Sequence, residues 1–168
     1  MKLSQERILT THVGSLPRSE DVFHLVFAKE AGEQLDLETY DQVIADAVKT
    51  VVSKQTEVGV DVVSDGEQSK ISYATYIKHR LTGFEGDSPR RTPKDLEEYP
   101  AFSKRASESG GVPTFSRPQC TGPIGVKDLQ PLKTDLENFR NALEGTPATD
   151  AFMNAASPGV IAQFQPNQ

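Results

Sequence analysis

The stretch DLETYDQVIADAVKTVVSKQTEVGVDVVSDGEQ, residues 36–68, decides the fold class. Tyr40, Val43, Ile44, Ala47, Val48, Val51 and Val52 recur at three- and four-residue steps, which is one apolar face of a helix. Asp41, Asp46, Lys49 and Lys54 fall mainly off that face. Gly59 stands where a helix is expected to be capped. Val60 to Ser64 then form a short β-branched run that stops abruptly in Asp65-Gly66-Glu67-Gln68. A long amphipathic helix, a glycine, a buried-type strand and a polar tip together make an α-to-β unit of a parallel sheet.

On the N-terminal side, RILTT at 7–11 reads as another short strand, and it runs into His12-Val13-Gly14-Ser15. A helix follows, with Ser19 as N-cap, Glu20 and Asp21 in its first turn and Gly32 near its end. On the C-terminal side a helix is expected over roughly 69–81, then a strand start at Gly83 and Phe84. Residues 85–112 are rich in Gly, Pro, Ser and charge and read as a long loop. Order returns in a strand that ends at Thr121-Gly122-Pro123, in a helix from Thr134 to a stop at Gly145, and in a strand over DAFMNAASPGVIAQF with its tip at 156–159. Strands are thus expected near 7, 60, 83, 115 and 151. Strand, polar tip and helix in succession describe a (β/α) barrel or a doubly wound sheet, and both bind ligands at the carboxyl ends of their strands.

Composition narrows the function classes. The 168 residues suit one domain, and a net charge of -6 with scattered basic residues argues against a nucleic-acid partner. No apolar run is long enough to span a bilayer, and the charged start MKLSQERIL lacks the apolar segment of a signal peptide. The single Cys120 excludes an internal disulfide framework and fits a cytoplasmic setting.

The tips carry the candidate chemistry. Gly14 lets a ligand approach the backbone, and the turn N–H groups with the Ser15 hydroxyl could hold a carboxylate; the same turn could equally serve geometry alone. Glu67 could pair with a substrate ammonium, or it could be a first-turn charge with Asp65 as the helix cap. His12, one residue from the glycine turn, reads more simply as a structural histidine, as do His24 and His79. Cys120 has no cysteine or histidine nearby at metal-ligand spacing. The sequence contains no complete metal site and no complete catalytic constellation.

TTHVGSLPR, GVDVVSDGEQ and CTGPIG, in that order, resemble the cobalamin-independent methionine synthase family, and more closely its short single-barrel members. The tail FMNAASPGVIAQFQPNQ is similar to the family's stretch before its later strands. The resemblance implies a (β/α)₈ TIM barrel that moves a methyl group from a methyl-tetrahydrofolate to the sulfur of homocysteine, with zinc activating the thiol. It implies that Val13, Gly14 and Ser15 hold the amino-acid end of homocysteine and that Glu67 binds its amino group. His12, Asp65 and Thr121 are possible pocket residues with no role carried over. The family's zinc ligands lie in the later half of the barrel, and Cys120 matches none of them. The expectation is therefore a single domain over 1–168 holding the N-terminal half to five-eighths of a barrel, with no metal ligands and no catalytic residues of its own. Two alternatives remain. One is a transferase acting on another small thiol, as in the epoxyalkane–coenzyme M enzymes. The other is a non-catalytic interaction protein whose open barrel edge is covered by a second copy or a partner.

Overall fold

A computed structural model of the chain describes residues 2–72, 74–88, 94–109 and 117–168. Two helices open it. α1, Glu20–Ala31, starts at Ser19, whose hydroxyl accepts from the Val22 N–H, and ends at Gly32 with φ 76°. α2, Leu37–Glu57, is capped by the Asp36 carboxylate and buries Tyr40, Ile44, Val48, Val51 and Val52. These are the positions at which the 3.6-residue period aims one face inward. α2 leads into strand β1, Val62–Ser64.

β1 is the centre of the parallel sheet. It pairs with β4, Asp150–Phe152, in the register Val62↔Asp150, Val63↔Ala151 and Ser64↔Phe152. On its other side it meets the N-terminal segment only through the parallel bridge Thr11↔Val62. The strand expected over 7–11 is thus reduced to a bridge, and Asp61 is the reason. Its carboxylate takes the Thr10 N–H at 2.8 Å, the Thr10 hydroxyl at 3.0 Å and the Arg7 guanidinium, so a side chain holds this stretch beside the two backbone bonds that the Thr10 carbonyl accepts from Asp61 and Val62. Asp61 is itself held well below the usual carboxylate range by Arg7 and then by the Thr10 N–H.

α5, Gln130–Leu143, lies along α2 and adds Phe139 and Ala142 to the core, where Val52 and Val63 are wholly buried. Full burial of each valine is worth about 1.5–3 kcal/mol. α5 begins four residues ahead of the expected Thr134 cap, because Asp128 accepts the Gln130 N–H at 2.8 Å and Pro131 fits the first turn.

The remaining strands do not join this sheet. β2, Phe84–Glu85, and β3, Gln119–Cys120, form a separate antiparallel ribbon. A Cβ on Gly83, φ 80°, would lie 2.6 Å from the Gly122 carbonyl oxygen, so this close approach of two backbones requires glycine. Five expected strand positions therefore become three in one parallel arrangement, near 11, 62–64 and 150–152. Within the expected loop at 85–112 the chain forms two helices, α3 (Lys94–Glu97) and α4 (Pro100–Ser109); residues 89–93 and 110–116 lie outside the described ones. The expected final strand stops at Phe152, and its supposed tip starts α6, Pro158–Phe164, capped by Ser157.

The helix expected over 69–81 is only a 3-10 turn, Tyr76–His79, among the described residues. The carbonyls of Glu67, Gln68 and Lys70, which would feed a helix there, all accept from the Arg18 guanidinium.

Candidate functional site at the strand tips

β1 delivers its tip under tight control. From α2, the Gln55 amide grips the Ser64 backbone at both ends: its nitrogen donates to the Ser64 carbonyl at 2.8 Å and its oxygen accepts the Ser64 N–H at 3.0 Å. Asp65 then turns back. Its carboxylate accepts the Glu67 N–H at 3.2 Å and pairs with Lys70 Nζ at 2.5 Å, and both side chains are buried. Gly66, φ 59°, leaves room for Leu16, whose N–H donates to the Gly66 carbonyl at 3.0 Å. The tip at 12–16 and the tip at 65–68 are thereby zipped together.

Glu67 sits at their junction. Its φ of 55° lies in the left-handed region, where a residue with a side chain pays about 1 kcal/mol or more. The side chain is 3 % exposed. One carboxylate oxygen, Oε2, accepts the Ser15 hydroxyl at 2.6 Å; the other, Oε1, accepts the Asn154 amide at 3.0 Å. Asn154 follows the end of β4, so the cluster draws one residue from each of the three parallel positions. Among the described residues no cation lies within 4.0 Å of the Glu67 carboxylate. Arg18 is near, but it donates to backbone carbonyls, and burial lowers its pKa.

The other expected residues are placed as follows. The backbone N–H groups of Val13, Gly14 and Ser15 engage no acceptor among the described residues; Gly14 has φ 101° and Val13 is exposed. Half-buried His12 has a buried Nε2 without a hydrogen-bond partner. Lys70 and the Glu67 N–H occupy the Asp65 carboxylate. Thr121 stands on the antiparallel ribbon instead, exposed, with its N–H donating to the Gly83 carbonyl. Asn154, Arg18 and Gln55 were missed in the sequence. Asn154 had a readable signal, since it is the first strongly polar side chain after a strand, where this kind of fold presents its chemistry.

A cleft of about 380 Å³ opens between the N-terminal ends of α2 and α5, lined by Tyr40, Tyr76, Arg80 and Asp135 among others. Burial raises the Asp135 pKa there and pushes the Tyr40 hydroxyl to about 12. The cleft includes neither Ser15 nor Glu67. Among the described residues no three His, Cys, Asp or Glu gather into a group able to hold a metal, so the zinc implied by the resemblance does not fit here. Among the described residues no helix is long and apolar enough to cross a membrane.

The fold and the cluster define the class first: an α/β protein that gathers polar side chains at the carboxyl ends of its parallel strands. Residues 8–89 match the family model described as the catalytic domain of cobalamin-independent synthase, and the chain resembles the cobalamin-independent methionine synthase family. Over 75 residues it is 35% identical to the methionine synthase of Sulfolobus acidocaldarius, covering 45% of this chain and 22% of that protein. Over 75 residues it is 33% identical to the 5-methyltetrahydropteroyltriglutamate–homocysteine methyltransferase of Bifidobacterium longum subsp. infantis, covering 45% of this chain and 10% of that one. The chain thus matches between a tenth and about a fifth of these relatives' length. A B12-independent methionine synthase from a Shewanella species, solved with selenomethionine, shares the fold with a TM-score of 0.61 at 21% identity, over 95% of this chain and 40% of that one.

Proposed function

We propose that the chain forms the first three strand positions of a (β/α)₈ barrel and supplies the amino-acid-recognising corner of a homocysteine S-methyltransferase that takes its methyl group from methyl-tetrahydropteroyltriglutamate. Three parallel positions in chain order, with helices between them, support the barrel reading. So does the fold match over 40% of a methionine synthase chain, which is close to three-eighths of a barrel.

The observation that carries the function is Glu67. It is a buried carboxylate held only by neutral donors, at the meeting point of three strand tips. Arg18 offsets part of that charge from a distance but donates no hydrogen bond to the carboxylate, so a ligand ammonium in direct contact would gain a charge-assisted bond that the cluster lacks. Ser15 is exposed and Glu67 is not, so the Ser15 hydroxyl covers the carboxylate. An arriving ammonium takes its place on Oε2. The released hydroxyl, with the free N–H groups of residues 13–15, then meets the ligand's carboxylate. The homocysteine thiol is left pointing away from this corner, toward groups contributed from elsewhere in a complete barrel. A cytoplasmic setting belongs to the same proposal and agrees with the free thiol of Cys120.

Isothermal titration calorimetry of the chain with L-homocysteine tests this, with 3-mercaptopropionate, which lacks the amino group, and 2-mercaptoethanesulfonate as the contrasting thiols. Binding of L-homocysteine alone is expected. Equal binding of all three, or preference for the sulfonate, refutes the amino-acid site.

A further inference from the structure

Glu67 is the only described residue other than glycine with positive φ, and its carbonyl takes part in an unusual grip. The Arg18 guanidinium donates through Nη2 to the Glu67 carbonyl at 2.6 Å, through Nε to the Gln68 carbonyl at 3.1 Å, and through Nη2 to the Lys70 carbonyl. Arg18 pairs with no carboxylate within 4.0 Å among the described residues. The half-buried guanidinium feels the Glu67 charge, yet its hydrogen bonds are spent on three carbonyls of the 67–70 turn. The Glu67 carbonyl also accepts the Lys70 N–H at 3.1 Å, and no backbone N–H reaches the Gln68 and Lys70 carbonyls among the described residues, in a turn where Glu67 takes the left-handed conformation. The same conformation turns the Glu67 side chain back toward Ser15 and Asn154.

We infer that Arg18 is a positioning residue: its fork holds the 67–70 turn in the strained conformation that presents the Glu67 carboxylate at the strand tips. The fork shape is essential. A lysine at 18 would bring one compact charge and could not span three carbonyls. A right-handed Glu67 would free those carbonyls for a helix over 69–81 and would carry the carboxylate away from Ser15. The part of this inference that concerns ligand affinity rests on the proposed amino-acid site, and the part that concerns the backbone does not.

A double-mutant cycle on the full chain tests the backbone part, with urea unfolding as the readout and Arg18→Ala and Glu67→Gly as the two changes. Glycine adopts positive φ freely, so the clamp has less to hold in the Glu67→Gly chain. The urea midpoint shift caused by Arg18→Ala should fall to half or less in that background. An equal shift in both backgrounds overturns the inference, because an arginine that merely stabilises the fold would act the same in each. If Arg18→Ala does not fold, Arg18→Lys goes through the same cycle with the same two outcomes. Titration with L-homocysteine tests the other part. Arg18→Ala should bind at least tenfold more weakly, and Arg18→Lys should recover only a fraction of that loss. Unchanged affinity in Arg18→Ala, when the parent chain binds, overturns it. If the parent chain binds no L-homocysteine, the amino-acid site is refuted while the urea cycle still decides the role of Arg18.

Discussion

Replacing Glu67 by glutamine separates the charge of the site from its shape. Both carboxylate oxygens are used, Oε2 by Ser15 at 2.6 Å and Oε1 by Asn154 at 3.0 Å. With Asn154 donating through its nitrogen as it does here, the glutamine oxygen faces Asn154 and its amide nitrogen faces Ser15. The Ser15 hydroxyl can accept as well as donate, so a rotation of its proton restores the contact. Two charge-assisted bonds become two neutral ones, and the stability cost should be about 1 kcal/mol or less. Binding should suffer more. An ammonium meeting a carboxylate loses a contact worth about 1.5–3 kcal/mol when the charge is removed, which is a roughly 10- to 100-fold weaker Kd. Calorimetry with L-homocysteine reads the second effect, and urea unfolding reads the first. The reasoning fails if Glu67→Gln binds L-homocysteine as tightly as the parent chain. It fails equally if binding and stability fall together by the same free energy, since the carboxylate would then be structural.

Other parts of the molecule make separate demands. Val63→Ala removes a wholly buried side chain between the sheet and α2 and should lower stability by about 1.5–3 kcal/mol in a urea melt. Gly83→Ala would drive a methyl group to 2.6 Å from the Gly122 carbonyl at a φ of 80°, so the β2–β3 ribbon should loosen, seen as faster hydrogen exchange at Thr121, whose N–H donates to the Gly83 carbonyl. The Asp61 pKa is depressed in the folded chain by Arg7 and Thr10, so its contribution is fully present above the usual carboxylate value of about 4 and is lost as pH falls through its folded value. Acid melts of Asp61→Asn should therefore show a shallower loss of stability below that range than the parent chain. Asp135 has the opposite sign, because burial raises its pKa and its ionisation opposes folding. Asp135→Asn should narrow the gap to the parent at low pH and gain on it as pH rises.

The legible parts of the fold were those with a long period or a closed local signal. The apolar face of residues 40–52, the Ser19 cap and the glycine at 32 each act within a few residues, and each appears where the pattern puts it. The parallel partner of β1 was not legible in the same way. Phe84 and Cys120 look as strand-like as Ala151, and only tertiary pairing sends the first two into a ribbon and the third beside Val63. The helix expected over 69–81 is a single 3-10 turn among the described residues, and the carbonyls just before it accept from a guanidinium at residue 18, a partner that no window of 11–18 residues contains. The candidate site divides likewise. Ser15 and Glu67 stand out as polar groups at strand ends, and the structure joins them. Asp65 and Thr121 stood out equally, and the structure spends them on a buried lysine and on a backbone ribbon. Asn154 was hidden in a run taken for a strand.

The three groups of the Glu67 cluster are far apart along the chain: 52 residues separate Ser15 from Glu67 and 87 separate Glu67 from Asn154. Closing loops of that length costs entropy before any contact repays it, whereas α2 and β1 are neighbours and can meet early. Such long closures make the cluster expected to assemble late on the folding path. Along the chain, Ser15 and Glu67 are synthesised well before the Asn154 donor. A ligand bound by all three strand tips would recognise only the finished molecule and would pull the last docking step, β4 onto β1, toward completion.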